Sequence, residues 1–194
     1  MVNKLPPELD NPLETVLNNQ IDEHLPVYYA LGFTPNGLTT LSLLAGLCAV
    51  ALLFFGHGRW AAVSWFVAYY YDCADGKLAR KYQLTSPFGD VYDHASDIFK
   101  HFLLLSLLAW RLRNQRYRYV LAGVGAVLIG LSAAQMGAQE RYLHAHGEAQ
   151  HASFVMSALD ALVWTDDCRT QIQWTRFFSP VTLTLYLMGV LWWM

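Results

Sequence analysis

The sequence predicts an all-α fold, a polytopic bundle of membrane helices. Of its 194 residues, 55% are hydrophobic and only 14% are charged. Uncharged runs nearly as long as a bilayer crossing recur along the chain, and short turn clusters separate them. This combination is typical of a membrane protein rather than of a soluble domain.

The charge balance and the cysteines exclude several other classes of protein. Thirteen Lys and Arg against fifteen Asp and Glu give a formal net charge of −2. A nucleic-acid partner is therefore not expected, because it would require a basic surface. The three cysteines form no CxxC pair, so a disulfide scaffold is not expected. The N-terminus lacks a basic flank followed by an apolar core, which predicts no cleavable signal peptide.

Residues 1–31 are predicted to form an N-terminal segment with an amphipathic interfacial helix. Asn11 is suited to cap this helix, Pro12 to its first position, and Pro26 is expected to end it. The apolar residues that share one face of it are Leu13, Val16, Leu17, Ile21 and Leu25. Such a helix is expected to lie on the membrane surface, and the alternative is an ordinary packed helix of a soluble protein.

Residues 32–194 are predicted to form one membrane-embedded domain. Gly37–Phe55 contains nineteen residues without a charge, and at ~1.5 Å per residue it nearly spans a hydrocarbon core of ~30 Å. Further helices are expected at about residues 60–80, 88–110, 119–139 and 177–194. Residues 152–164 are short for a crossing and are interpreted as a half-buried or re-entrant helix. The prediction is five transmembrane helices, or six if residues 152–164 also cross.

Four aspartates lie on two of these helices. Asp72 and Asp75 are spaced i, i+3, and Asp93 and Asp97 are spaced i, i+4, so each pair shares a helical face. A short link makes the two helices antiparallel, and Asp72 and Asp97 then lie at a matched depth of about 13–14 Å. An ionisable residue within a membrane helix indicates a functional site.

Converging carboxylates need counterions where the dielectric constant is low. Hard divalent cations with oxygen ligands, Mg²⁺ or Mn²⁺, are the natural choice. Neither pair contains Cys or His, which disfavours zinc.

Residues beside the aspartates suit a phosphate ligand. Gly76 and Ala79 have small side chains, which lets a ligand approach the backbone. Arg80 is one turn after Gly76 and can bind a phosphate with two parallel hydrogen bonds. Gly89 lies at the start of the helix predicted at about residues 88–110, where free N–H groups can meet an anion.

The ordered set resembles the signature of the CDP-alcohol phosphotransferase family, also called CDP-alcohol phosphatidyltransferases. Its eight positions are Asp72, Asp75, Gly76, Ala79, Arg80, Gly89, Asp93 and Asp97, with matching spacing. The resemblance implies a membrane enzyme of phospholipid biosynthesis, commonly of six helices and often a homodimer. In the implied reaction an acceptor hydroxyl attacks a phosphorus of a CDP-alcohol, a phosphodiester forms, and CMP leaves.

The resemblance also implies roles for individual residues. Asp72, Asp75 and Asp93 would hold two metal ions, and Asp97 would be the general base and a further metal contact. The implied nucleotide or diphosphate contacts are Thr34, Pro35, Asn36, Gly76, Arg80 and Ser86, with Ala79 and Gly89 completing the substrate-binding set. The active side is expected to face the cytoplasm, because CDP-alcohols are made there and do not cross a bilayer unaided.

The donor and the acceptor stay open between two subtypes of the family. Members use either CDP-diacylglycerol with a water-soluble alcohol or CDP-choline or CDP-ethanolamine with a lipid alcohol. Lys77 after Gly76 and His94 after Asp93 resemble the second subtype. Near the expected acceptor entrance Arg141 is the one available cation, which favours an unphosphorylated acceptor. The competing classes are a carboxylate-lined transporter and an inactive membrane scaffold, and the complete signature argues against both.

Other polar residues are interpreted as solvated. Asp90 is expected in the exposed first turn of its helix. The group His144, His146, Glu148 and His151 matches no zinc motif and is predicted to be a loop, as are Asp166, Asp167 and Cys168.

Overall fold

A computed structural model describes residues 5–6, 8–112, 117–146, 159–165 and 167–194, and their regular secondary structure is entirely helical. The α-helices are α1 (Pro12–Ala30), α2 (Pro35–Phe54), α3 (Gly58–Lys81), α4 (Pro87–Leu112), α5 (Arg118–Ala145), α6 (Cys168–Thr175) and α7 (Pro180–Trp193). Two short 3-10 helices, Leu159–Leu162 and Arg176–Phe178, lie between α5 and α7. The all-α prediction is confirmed.

Side-chain caps fix the starts of the first two helices. The Asn11 side-chain oxygen accepts a hydrogen bond from the backbone N–H of Leu13 at 3.0 Å. The Thr34 hydroxyl accepts one from the N–H of Gly37 at 3.1 Å. In both cases a proline follows the cap at the first helical position, where its missing N–H costs nothing. The predicted cap at Asn11 is confirmed.

The prediction that Pro26 ends α1 is wrong. The helix runs through Pro26 to Ala30. An interior proline removes one backbone hydrogen bond, and buried contacts before that point, together with the contact of the Tyr28 ring with the Tyr71 ring after it, hold this helix. Leu17, Ile21 and Leu25 are buried, and the Lys77 ammonium of α3 contacts the Asp22 carboxylate at 2.8 Å.

The apolar face of α1 packs within the protein. Besides Asp22, Lys77 also donates to the Asn18 carbonyl at 2.9 Å, which ties this helix to α3. Leu13 and Val16 stay exposed. The part of α1 that follows Val16 therefore packs on α3, and its position at the membrane surface stays a prediction.

Among the residues that the structure describes, two helices are long and apolar enough to cross a membrane, namely α2 and α5. The predicted crossing at 177–194 is a 14-residue helix, α7, which rises only about 21 Å. Of the predicted short helix at 152–164, residues 152–158 lie outside the described part of the chain, and residues 159–162 form a 3-10 turn. The count of five or six crossings stays a prediction.

The chain divides into two compact units. One contains residues 3–16 and 121–183, with a core formed by Leu5, Leu9, Ala138 and Ile172. The other contains residues 17–120 and 184–194 and includes all four signature aspartates. In this second unit α2 packs against both α3 and α4, and these two approach each other less closely than either approaches α2. Side chains therefore bridge the space between α3 and α4.

Gly58 provides a test of the packing in the second unit. A Cβ atom at Gly58 would overlap the backbone oxygen of Leu191. We therefore expect Gly58→Ala to lower the free energy of unfolding by about 1–3 kcal/mol, the usual cost of overpacking. Gly123→Ala is the matched control, since its Cβ would meet nothing within 4 Å. Thermal unfolding in detergent should show a lower Tm for Gly58→Ala alone, and equal Tm values for the two variants would contradict this packing.

Candidate active site

Three of the four signature aspartates come together between α3 and α4. Asp72, Asp93 and Asp97 each offer one carboxylate oxygen, and these oxygens all lie within 4.8 Å of one another. All three residues are half-buried. The spacing in the sequence predicts that the aspartates of two helices converge, and these three do so.

Asp75 lies outside this group of three. It is 4% exposed, and the Thr39 hydroxyl of α2 donates to its Oδ2 at 2.5 Å. The same hydroxyl also lies 3.2 Å from the Pro35 carbonyl. Thr39 in α2 therefore orients Asp75. The spacing of the signature residues on α3 and α4 does not predict this contact.

Lys100, a residue outside the signature, lies inside the aspartate cluster. The Lys100 ammonium is 2.7 Å from Asp72 Oδ1 and 2.6 Å from Asp97 Oδ1. It also donates to the Ser42 hydroxyl of α2 at 2.7 Å. Its position three residues after Asp97 was the available signal, because that spacing puts both on one face of α4.

The three carboxylates fit a hard divalent cation. Carboxylate oxygens are the ligands that Mg²⁺ and Mn²⁺ prefer. Asp93 Oδ1 is buried, and no described residue donates a hydrogen bond to it. A buried oxygen of this kind requires a partner, which a bound cation would supply.

Arg80 folds back along α3 toward Gly76. A Cβ atom at Gly76 would lie 3.1 Å from an Arg80 guanidinium nitrogen, so the glycine leaves room for this side chain. Arg80 Nε is buried and has no hydrogen-bond partner among the described residues. Gly76 and Arg80 are thus in close contact, and Arg80 has a donor that is available to an anion.

The remaining predicted substrate residues lie near helix ends. All of them except Ala79 lie together where α2 and α4 begin, and Ala79 lies near the end of α3. The Ser86 hydroxyl accepts the Gly89 N–H at 3.0 Å, and a Cβ atom at Gly89 would lie 3.0 Å from both Asn36 Oδ1 and Ser86 Oγ. Thr34 and Pro35 form the adjoining start of α2. The carbonyl of Ala79 accepts the N–H of Leu84 at 2.8 Å and so closes the end of α3.

Asp90 is solvated as interpreted, but the loop prediction is wrong for His144, which lies in the last turn of α5, and for Cys168, which begins α6. Asp90 is exposed in the first turn of α4, with the His94 ring 3.7 Å away. His144 contacts Glu140 at 3.4 Å near the end of α5, and Glu148, His151 and Asp166 lie outside the described residues. Asp167 caps α6, and the hydroxyl of Thr170 lowers the pKa of its carboxyl by donating a hydrogen bond.

Comparison with known proteins identifies the family of the chain. The family model described as CDP-alcohol phosphatidyltransferase matches residues 33–193. A "Bifunctional IPC transferase and DIPP synthase" of Aquifex aeolicus (strain VF5) is 29% identical over 139 residues. That alignment covers 70% of this chain and 31% of the relative, so the chain spans about a third of the relative's length. No solved structure matches the chain. The matched region includes every signature residue, and the chain belongs to the CDP-alcohol phosphatidyltransferase family.

Proposed function

We propose that this protein is a divalent-metal-dependent transferase of phospholipid synthesis, which moves a substituted phosphate group from a CDP-alcohol to an acceptor hydroxyl. The observation that carries the proposal is the convergence of Asp72, Asp93 and Asp97 within 4.8 Å. Family membership supports the reaction type, and the oxygen-only cluster supports Mg²⁺ or Mn²⁺ as the cofactor.

The four aspartates have different roles in this proposal. Asp72, Asp75 and Asp93 would hold two ions, and Asp97 would contact a metal and accept the proton of the acceptor hydroxyl. Bound divalent cations supply neutralisation of the charge on the diphosphate and on the leaving CMP. The Nε–H group of Arg80 is buried, and no described residue accepts a hydrogen bond from it. This free donor supports a contact between Arg80 and the diphosphate.

The proposed chemical step is a direct displacement at phosphorus. The acceptor oxygen forms a bond to the attacked phosphorus, and the bond from that phosphorus to the CMP oxygen breaks. The hydroxyl proton passes to the Asp97 carboxylate, which acts as general base. Thr34, Pro35, Asn36, Ser86 and Gly89 lie together at the helix starts and would position the CDP-alcohol there. Gly76 and Ala79 would leave space for its phosphates along α3.

The experiment that tests the proposal is a substrate panel with purified protein. CDP-diacylglycerol, CDP-choline and CDP-ethanolamine would each be combined with soluble and lipid acceptors in the presence of Mn²⁺. We expect CMP release with at least one pair, and mass spectrometry of the product would identify the donor and the acceptor. A transporter or an inactive scaffold would release no CMP with any pair.

We further propose that α3 and α4 cross the membrane and that the aspartates open to the cytoplasmic side. α3 has 24 residues and α4 has 26, so each is about 36–39 Å long and exceeds a ~30 Å core. Both carry signature charges, which lower their hydropathy without preventing insertion. A homodimer of such bundles is the proposed assembly.

Cysteine labelling tests this orientation directly. Gln83 follows the end of α3 and His57 precedes its start, and both are exposed. In a variant without the native cysteines, we expect Gln83→Cys to react with an impermeant reagent only from the cytoplasmic side. His57→Cys is the matched control and should react only from the opposite side. Labelling of both positions from one side would show that α3 does not cross.

A further inference from the structure

Lys100 is buried within the aspartate cluster although the proposed reaction assigns it no role. Its side chain is 3% exposed. Its ammonium group donates hydrogen bonds to Asp72 Oδ1 and to the Ser42 hydroxyl, each at 2.7 Å, and forms an ion pair with Asp97 Oδ1 at 2.6 Å. These three polar contacts hold the ammonium group inside the cluster.

The packing of α2 leaves space for this lysine. A Cβ atom at Gly46 would lie 3.1 Å from Lys100 Cδ and 3.2 Å from its Cβ, closer than ordinary contact. Gly46 is buried one turn after Ser42, which is fully buried. The missing side chain at Gly46 leaves space for the methylene chain of Lys100, and the Ser42 hydroxyl accepts a hydrogen bond from its ammonium group.

Lys100 and a divalent cation interact with the same carboxylates. The ammonium contacts one oxygen of Asp72 and one of Asp97, and each carboxylate has a second oxygen that a metal can use. Two cations that share carboxylates in a poorly solvated site repel each other. Conversely, without any cation the carboxylates repel one another.

From this geometry we infer that Lys100 is the built-in counterion of the aspartate cluster. It holds Asp72 and Asp97 in place when no divalent cation is bound, and it lowers the affinity of the cluster for metal. Lys100 is therefore a positioning residue that acts through Asp72 and Asp97. The inference rests on the proposed metal-dependent function and adds a determinant of metal affinity to it.

The test measures Mn²⁺ binding and stability in purified protein without substrate. We expect Lys100→Met to bind Mn²⁺ about tenfold more tightly by calorimetry. Its Tm in excess chelator should fall by several degrees, and saturating Mn²⁺ should restore much of that loss. Lys100→Gln keeps a hydrogen-bond donor and removes the charge, so it should show the same tightening if Lys100→Met does not fold.

Lys77→Met is the matched control, because Lys77 is an equally buried lysine with a partner, Asp22, outside the cluster. This variant should lose the same Tm with and without Mn²⁺ and should keep the wild-type affinity for Mn²⁺. Unchanged or weaker Mn²⁺ binding in both Lys100 variants would overturn the inference, as would equal tightening in Lys77→Met. No Mn²⁺ binding by the wild-type protein would instead overturn the proposed metal dependence.

Discussion

Asp97→Asn is expected to reduce turnover by about 100-fold or more while CDP-alcohol binding at saturating metal largely survives. The amide is nearly isosteric with the carboxylate but cannot accept the acceptor proton. Asp97 lies on α4, whereas Gly76 and Arg80 lie on α3, so the substitution leaves the proposed nucleotide contacts of α3 in place. Some loss of metal affinity is compatible with this expectation, because Asp97 belongs to the cluster of three carboxylates.

The measurements are the CMP release rate and the affinity for CDP-alcohol of the same purified variant. Asp90→Asn is the matched control on α4, because Asp90 is exposed and lies outside the cluster. It should keep turnover within about twofold of the wild type, as surface substitutions usually do. Near-normal turnover of Asp97→Asn would show that Asp97 is not the base, as would a loss of nucleotide binding as complete as that of Asp75→Asn.

Asp75→Asn is expected to weaken Mn²⁺ and CDP-alcohol binding together, each by about tenfold or more. Asp75 directly precedes Gly76, and its buried carboxylate is held by the Thr39 hydroxyl at 2.5 Å. An amide in this place loses the negative charge that attracts the cation.

Thr39→Val separates the charge of Asp75 from its orientation. This variant removes the hydroxyl and retains the carboxylate, so its effect on Mn²⁺ affinity should be smaller than that of Asp75→Asn. Calorimetry with Mn²⁺, followed by CDP-alcohol titration at saturating Mn²⁺, gives both affinities. Wild-type values for Asp75→Asn would remove Asp75 from the metal and nucleotide site.

The sequence predicts the part of the site that depends on spacing along single helices. The i, i+3 and i, i+4 aspartate pairs and the Gly76–Arg80 turn follow from helical geometry, and the structure shows the corresponding contacts. Pro12 at the start of α1 follows from capping chemistry, whereas α2 begins at Pro35, two residues before the predicted start at Gly37. Pro26 misled the prediction because packing on α3 outweighs one missing backbone hydrogen bond.

What spacing does not provide is the contribution of a third helix. Thr39, Ser42 and Gly46 line one face of α2 at intervals of three and four residues, and each contacts a signature aspartate or Lys100. These positions are small or polar in a helix that is otherwise largely apolar. That stripe was the signal in the sequence, but only the packing of α2 on both α3 and α4 shows what it contacts.

The most direct test of metal-dependent CDP-alcohol transfer is CMP release by chelator-treated wild-type protein as Mn²⁺ or Mg²⁺ is added back. The aspartate cluster predicts no CMP in excess chelator and recovery with either ion, as expected for a site with only oxygen ligands. Full CMP release in excess chelator would contradict the account.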